Sequence, residues 1–129
     1  MAPDGEVACF VALFFIKKVY RGKEEISRAR RYIDEHWLED FNLRELAAAA
    51  NLSPYYFSRQ FKKHVGFTPH AYYMNLKIEK IKEKLADTSL SISEVFAVCG
   101  VNYHGHFARV FKEKVGLTPS QYRETIHSK

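Results

Sequence analysis

The chain has 129 residues, enough for one ordinary domain or two very small lobes sharing a helix, and its 47% apolar content supports a buried core and excludes disorder as the expected state. The net charge of +5 is unevenly placed: residues 1–52 hold eight Lys and Arg against nine Asp and Glu, while residues 53–129 hold twelve against six, so the second part suits a polyanionic partner. The two cysteines, Cys9 and Cys99, form no CxxC pair, which excludes a disulfide scaffold and makes a reduced, cytoplasmic setting the expectation.

The first element is a run of ten apolar residues at 7–16, extended as a helical pattern over 7–20. It is too short to span a bilayer and follows Asp4 and Glu6 instead of basic residues, so neither a transmembrane helix nor a signal peptide is expected, and no membrane partner. A helix apolar nearly all round needs cover. It could dock on the domain behind it, pair in a homodimer, or end an effector or dimerisation domain of a longer protein. The lack of other cover favours the last, with residues 1–22 as a linking helix.

Residues 24–37 form an amphipathic pattern with Ile26, Ala29, Ile33 and Trp37 on one stripe and acids in the first turn, a scaffold helix. Asn42-Leu43-Arg44-Glu45 resembles a capping box and opens a short helix with Leu46, Ala47 and Ala50 inward. Asn51-Leu52-Ser53 is a turn, and Ser53-Pro54 starts the next helix, about 54–65. Short helix, tight turn and second helix make a helix-turn-helix. Along that second helix Phe57, Phe61 and Val65 fall at i, i+4 and i+8, and the opposite side carries Tyr55, Arg59 and Lys62, flanked by Ser58 and Lys63. Gly66 suits a left-handed cap, and Thr68-Pro69 starts a long helix to about residue 87.

That helix places Met74, Ile78, Ile81 and Leu85 inward and Lys77, Lys80, Lys82 and Lys84 among Glu79 and Glu83 on its outer face. At about 1.5 Å per residue it spans roughly 30 Å, close to one ~34 Å turn of B-DNA. Ser91-Ile92-Ser93-Glu94 is a second capping box, and the helix behind it answers the one at Leu43 at an offset of forty-nine residues. From Phe107 the chain repeats the pattern of Phe57 at an offset of fifty: Phe, Arg, Phe, Lys, Val, Gly, Thr, Pro and Tyr recur in place. The second turn therefore holds one extra residue near Asn102-Tyr103-His104, and the second such helix is expected over about 103–115. Its stripe is Phe107, Phe111 and Val115, and its outer side carries Gly105, Arg109 and Lys112, flanked by Ala108. A short helix from Thr118 closes the chain.

From Leu46-Ala47 through Ser53-Pro54-Tyr55-Tyr56-Phe57 to Gly66-Phe67-Thr68-Pro69, and again from Ser91 to Thr118-Pro119 with Tyr122-Arg123, the chain resembles the DNA-binding domain of the AraC/XylS family of bacterial transcription regulators. The resemblance spans roughly residues 24–126. It implies an all-α, homeodomain-like fold of seven helices, in addition to the apolar N-terminal one. Two helix-turn-helix lobes, about 24–67 and 88–129, would be joined by the linker helix at about 68–87. It also implies sequence-specific binding of double-stranded DNA, with the second helix of each lobe in successive major grooves, regulation of transcription, and RNA polymerase as a protein partner. Mapped onto this chain, the base-facing residues are Tyr55, Ser58 and Arg59 in the first lobe and His104, Gly105, Ala108 and Arg109 in the second. Ser53, Lys62, Lys63, Asn102, Lys112 and Lys114 suit phosphate. Lys77 stands where the family usually has Arg, Phe96 where it has Ala, and Val101 where it has Phe. A Phe for Ala needs space, a Val for Phe leaves it, and the two changes can offset each other.

Other readings compete at single residues. Arg59 and Arg109 could serve as surface salt bridges, and the alternative for the whole chain is an interaction module that kept the fold and lost DNA binding. His104 and His106 lie at i and i+2 with no completing ligand, so no metal or cofactor is expected. No nucleophile elbow, glycine-rich phosphate loop or HExxH occurs, and Cys9 lies in apolar surroundings unlike those of an activated thiol, so no enzyme is expected.

Overall fold

The computed structural model describes residues 23–127, which form seven helices and no strand. The helical pattern expected at 7–20 lies outside the described residues. The described chain divides into two compact units, one made of residues 23–35 and Asn42–Ala71, the other of His36–Phe41 and Tyr72 onward.

In the first unit α1 covers 23–35 and buries Ile26, Ala29 and Ile33 along one stripe. It stops before Trp37, which was expected on that stripe; residues 36–38 turn instead, closed by the Glu39 N–H donating to His36 O at 3.1 Å. Helix α2 (Leu43–Ala49) starts at Asn42, whose side chain accepts from the Glu45 N–H at 3.1 Å. Ala47 is fully buried and Ala50 nearly so, and with no bulk beyond Cβ they let α2 lie close to α3 (Pro54–Val65). Between them Asn51 takes φ 57, a left-handed conformation that Asn tolerates better than most residues, and Leu52 N–H reaches back to Ala47 O at 2.9 Å. Ser53 accepts from Tyr56 N–H at 3.2 Å, Pro54 occupies the first turn, and Gly66 at φ 98 closes α3 with its N–H on Lys62 O. Phe57 and Phe61, rings 5.9 Å apart, are wholly buried; each contributes about 1.5–3 kcal/mol relative to exposure.

Helix α4 (Pro69–Leu85) begins at Thr68, which accepts from Ala71 N–H at 3.2 Å, and buries Met74, Ile78, Ile81 and Leu85 as the pattern requires. Lys77 departs from expectation: it is only 1% exposed, not on the outer face. The cause is register, since Tyr73, Lys77 and Ile81 follow one another at i, i+4 and i+8, and Tyr73 and Ile81 are both buried. Lys80 and Lys82 are half-buried, lying over the rings of Trp37 and Tyr122, and Lys84 is exposed.

Helix α5 (Ile92–Val98) carries a reciprocal capping box: Ser91 Oγ accepts from Glu94 N–H at 3.1 Å, and the Glu94 carboxylate accepts from Ser91 N–H at 3.4 Å. Val95, Phe96 and Cys99 are fully buried and Val98 is exposed. Helix α6 (His106–Val115) starts three residues later than the expected 103. Asn102 folds the preceding chain into a turn by accepting from His104 N–H at 3.0 Å, and Gly105, a poor helix former, becomes the N-cap without a side-chain bond. The shift leaves Phe107 in the first helical turn and only half-buried, where full burial was expected; Val110 and Phe111 are the buried pair. Gly116 closes α6 at φ 86. Helix α7 (Pro119–His127) is capped reciprocally by Thr118 and Gln121, and Arg123 ties it to the end of α4 by donating to Leu85 O at 3.0 Å and Asp87 O at 3.1 Å. The Phe111 and Tyr122 rings meet edge-on at 5.9 Å.

Candidate nucleic-acid interface

In the first unit the two buried phenylalanines fix which side of α3 faces outward. Tyr55 is 72% exposed, Arg59, Lys62 and Lys63 are exposed, and Ser58 is half-buried at the margin. Tyr55 and Arg59 sit one turn apart and pair: the Arg59 guanidinium lies 5.7 Å from the Tyr55 ring centroid and donates to its hydroxyl at 3.4 Å. The pair presents a flat cation on the exposed side of α3. Ser53 is exposed, and its oxygen is engaged in capping.

In the second unit Arg109, Lys112 and Lys114 are exposed on α6, and Ala108 is half-buried. Arg109 lies in the first turn of its helix, whereas Arg59 lies in the second turn of α3. Asn102, His104 and Gly105 are exposed but precede the helix. Asn102 was expected at a helix N-terminus; it is instead the acceptor of the turn, with Gly105 N–H also donating to its backbone carbonyl at 3.1 Å. His104 packs edge-on against Tyr103 at 5.1 Å, and Tyr103 packs edge-on against buried Phe96 at 5.1 Å, so the core fixes where His104 stands. His106, weighed in the sequence only as a metal ligand beside His104, is the exposed first residue of α6, directly after its N-cap Gly105.

The Lys82–Glu79 salt bridge at 3.2 Å is an i, i+3 pair on α4 and uses none of the cations on α3 or α6. Asp87 is held below the usual carboxylate range by the hydroxyl and N–H of Ser89. Burial pushes the Cys99 thiol up, which keeps it protonated and poorly nucleophilic. Among the described residues no group of three His, Cys, Asp or Glu side chains is placed to hold a metal ion.

Two similar units, each with a capped short helix, a tight turn and a second helix that shows arginine and lysine outward, define a double helix-turn-helix domain. A family profile described as a helix-turn-helix domain matches residues 46–125. The regulatory protein PocR of Salmonella typhimurium is 33% identical over 103 residues, 80% of this chain and 34% of PocR. The C-terminal domain of AraT, a response regulator from Geobacillus stearothermophilus, superposes with a TM-score of 0.71 at 35% identity, covering 78% of this chain and 84% of that domain. The DNA-binding domain of AdpA, a global transcriptional factor solved in complex with a target DNA, has a TM-score of 0.71 at 24% identity, covering 80% of this chain and 93% of that one, and shares the fold. The chain belongs to the helix-turn-helix family of AraC-type DNA-binding domains of transcriptional regulators. It spans about a third of the length of curated relatives such as PocR. No helix among the described residues is long and apolar enough to cross a membrane.

Proposed function

We propose that this chain binds double-stranded DNA sequence-specifically and regulates transcription in the bacterial cytoplasm, with α3 and α6 each entering a major groove and with no catalytic step of its own. The observation that carries the reading is the division of α3, whose Phe57 and Phe61 are wholly buried while Tyr55, Arg59, Lys62 and Lys63 stand in solvent; α6 divides likewise around Phe111. Arg59 and Arg109 are the specificity residues, because a guanidinium can donate two parallel hydrogen bonds to guanine O6 and N7, worth ~1–3 kcal/mol of discrimination. Tyr55 and Ser58 flank Arg59, and His104, Gly105 and Ala108 line the approach to Arg109. Gly105 and Ala108 bring little side chain, so the first unit supplies more of the base preference. Lys62, Lys63, Lys112 and Lys114 meet phosphates as point charges, joined by Ser53 and Asn102.

Selection of bound duplexes from a random pool, followed by titration of the selected site at several salt concentrations, tests this. Arg59→Ala is expected to flatten the preference at its positions, and Lys112→Ala to reduce the salt slope by about 0.9 per lost phosphate contact while leaving the preference intact. Unchanged binding in both variants would refute the assignment of these faces.

A further inference from the structure

Lys77 is the charged side chain that the described core encloses, at 1% exposure, and the DNA-reading surface does not use it. Its Nζ donates to Cys99 O at 2.7 Å, just past the end of α5, and lies 5.3 Å from the Trp37 ring centroid and 5.5 Å from that of Tyr73. An ammonium suits this place because the carbonyls ending a helix carry partial negative charge and the aromatic faces add more.

Three pieces of chain converge on that one nitrogen. The first is the strap His36–Phe41: besides Trp37, its Glu39 carbonyl accepts from the Tyr73 hydroxyl at 2.9 Å, and Phe41 stacks on Tyr73 at 5.3 Å. The second is α4, which carries Tyr73 and Lys77. The third is the turn after α5, where Gly100 (φ +77) is pressed so close that a Cβ there would stand 3.0 Å from Leu38 O and 3.2 Å from Lys77 Nζ. From this point contacts run without interruption to the start of α6. Val101 N–H donates to Phe96 O at 3.0 Å, Phe96 holds the Tyr103 ring, and Asn102 accepts from both His104 and Gly105. Helix α6 has no side-chain cap of its own, so its first turn is held by this turn instead of by a cap.

We propose that Lys77 is the positioning residue of the second reading helix: its ammonium pins the turn at 99–105 to the 36–41 strap and thereby fixes how α6 is presented to the groove. The inference rests on the DNA-reading function proposed above. Methionine at this position keeps the length and the apolar bulk while the pin is lost and the Cys99 carbonyl is left without its donor.

The full chain and its Lys77→Met variant are compared in two ways. Without DNA, Lys77→Met is expected to shift the emission of Trp37, the chain's single tryptophan, and to raise amide exchange at residues 100–105 about tenfold while exchange in α3 stays unchanged. With DNA, it is expected to lose about tenfold in discrimination at the positions that Arg109→Ala flattens, and none at those that Arg59→Ala flattens. Lys77→Arg, which keeps the charge, should recover part of both effects. Unaltered exchange at 100–105, or an equal loss at both sets of positions, would overturn the proposal. A wild-type chain with no base preference would sink the DNA-reading function, while the exchange measurement would still decide the role of Lys77 in fixing the turn. Should Lys77→Met not fold, Gly100→Ala, which crowds the ammonium away from the Cys99 carbonyl, must give the same pattern; its failure to do so counts against the proposal.

Discussion

Replacing Gly100 and Gly116 by alanine separates conformational strain from crowding within one unit. Both residues hold positive φ, +77 and +86, so each alanine meets the left-handed penalty of about 1–2 kcal/mol. Part of this is offset because alanine restricts the unfolded chain, by about 0.4–1 kcal/mol. Around Gly116 nothing lies within 4 Å of a new Cβ, so Gly116→Ala should cost about 1 kcal/mol net. At Gly100 the same methyl would stand 3.0 Å from Leu38 O and 3.2 Å from Lys77 Nζ. The backbone carbonyl has little freedom, so the ammonium yields and its 2.7 Å bond to Cys99 O lengthens. A bond to a charged group is worth about 1.5–3 kcal/mol, which brings Gly100→Ala to roughly 3 kcal/mol. Urea unfolding followed by Trp37 fluorescence measures both, since Trp37 lies in the same unit as both glycines, with circular dichroism as a check on two-state behaviour. Costs equal to within about 0.5 kcal/mol would refute the claim that the ammonium occupies the space beside Gly100.

Phe61→Ala should destabilise the first unit by about 3–5 kcal/mol, because the ring is wholly buried; a loss under about 1 kcal/mol in urea unfolding would contradict that burial. Ser91→Ala removes the acceptor for the Glu94 N–H and should cost about 1 kcal/mol by the same measurement, with no change in DNA preference. The pH dependence of Lys77 has a definite sign. Burial lowers its pKa, with Cys99 and Asp40 acting the other way, so between the folded and unfolded values the unfolded chain binds more protons and stability rises with pH. The stability of the wild type relative to Lys77→Met should therefore stay level below the lowered folded value and increase from there as pH climbs to the ordinary lysine range. Tyr73, whose hydroxyl burial and Asp40 push up, contributes the opposite slope in both proteins and largely drops out of the difference; a falling difference would contradict the sign.

Much of the architecture was legible because the features that specify it are local. Ser53-Pro54, Thr68-Pro69, Ser91 with Glu94, and the glycines at 66 and 116 each satisfy helix-end groups within a few residues, and the structure places all of them as helix ends. The arginine and lysine faces were legible for a related reason: once Phe57, Phe61 and Phe111 define an inward side, the helical period leaves the rest outward. What was not legible depends on partners distant in sequence. Lys77 looked like one of four surface lysines, and nothing near it announces that Trp37 and Cys99 O come to meet it. The start of α6 was misplaced because the repeat implied equivalence with Pro54, whereas Gly105 interrupts the helix and the Asn102 turn takes up the preceding residues.

The two turns therefore differ in how they hold their second helices, although the helices themselves repeat. At α3 the chain writes its own start, with a serine cap, a proline in the first turn and an asparagine able to take φ 57, so the entry geometry is available to the segment before the rest of the unit has packed. At α6 those devices are missing, and the start is imposed by Lys77 on the Cys99 carbonyl, by the fit of Gly100 against Leu38 O, and by Tyr103 held edge-on to Phe96. Phe96 accordingly supplies the wall for the ring that positions His104, so its bulk is used in the turn as well as in the core. A helix positioned by nonlocal packing shifts when that packing shifts, and one positioned by its own cap does not. Core substitutions in the second unit should alter what α6 reads more than comparable ones in the first alter what α3 reads, at equal loss of stability.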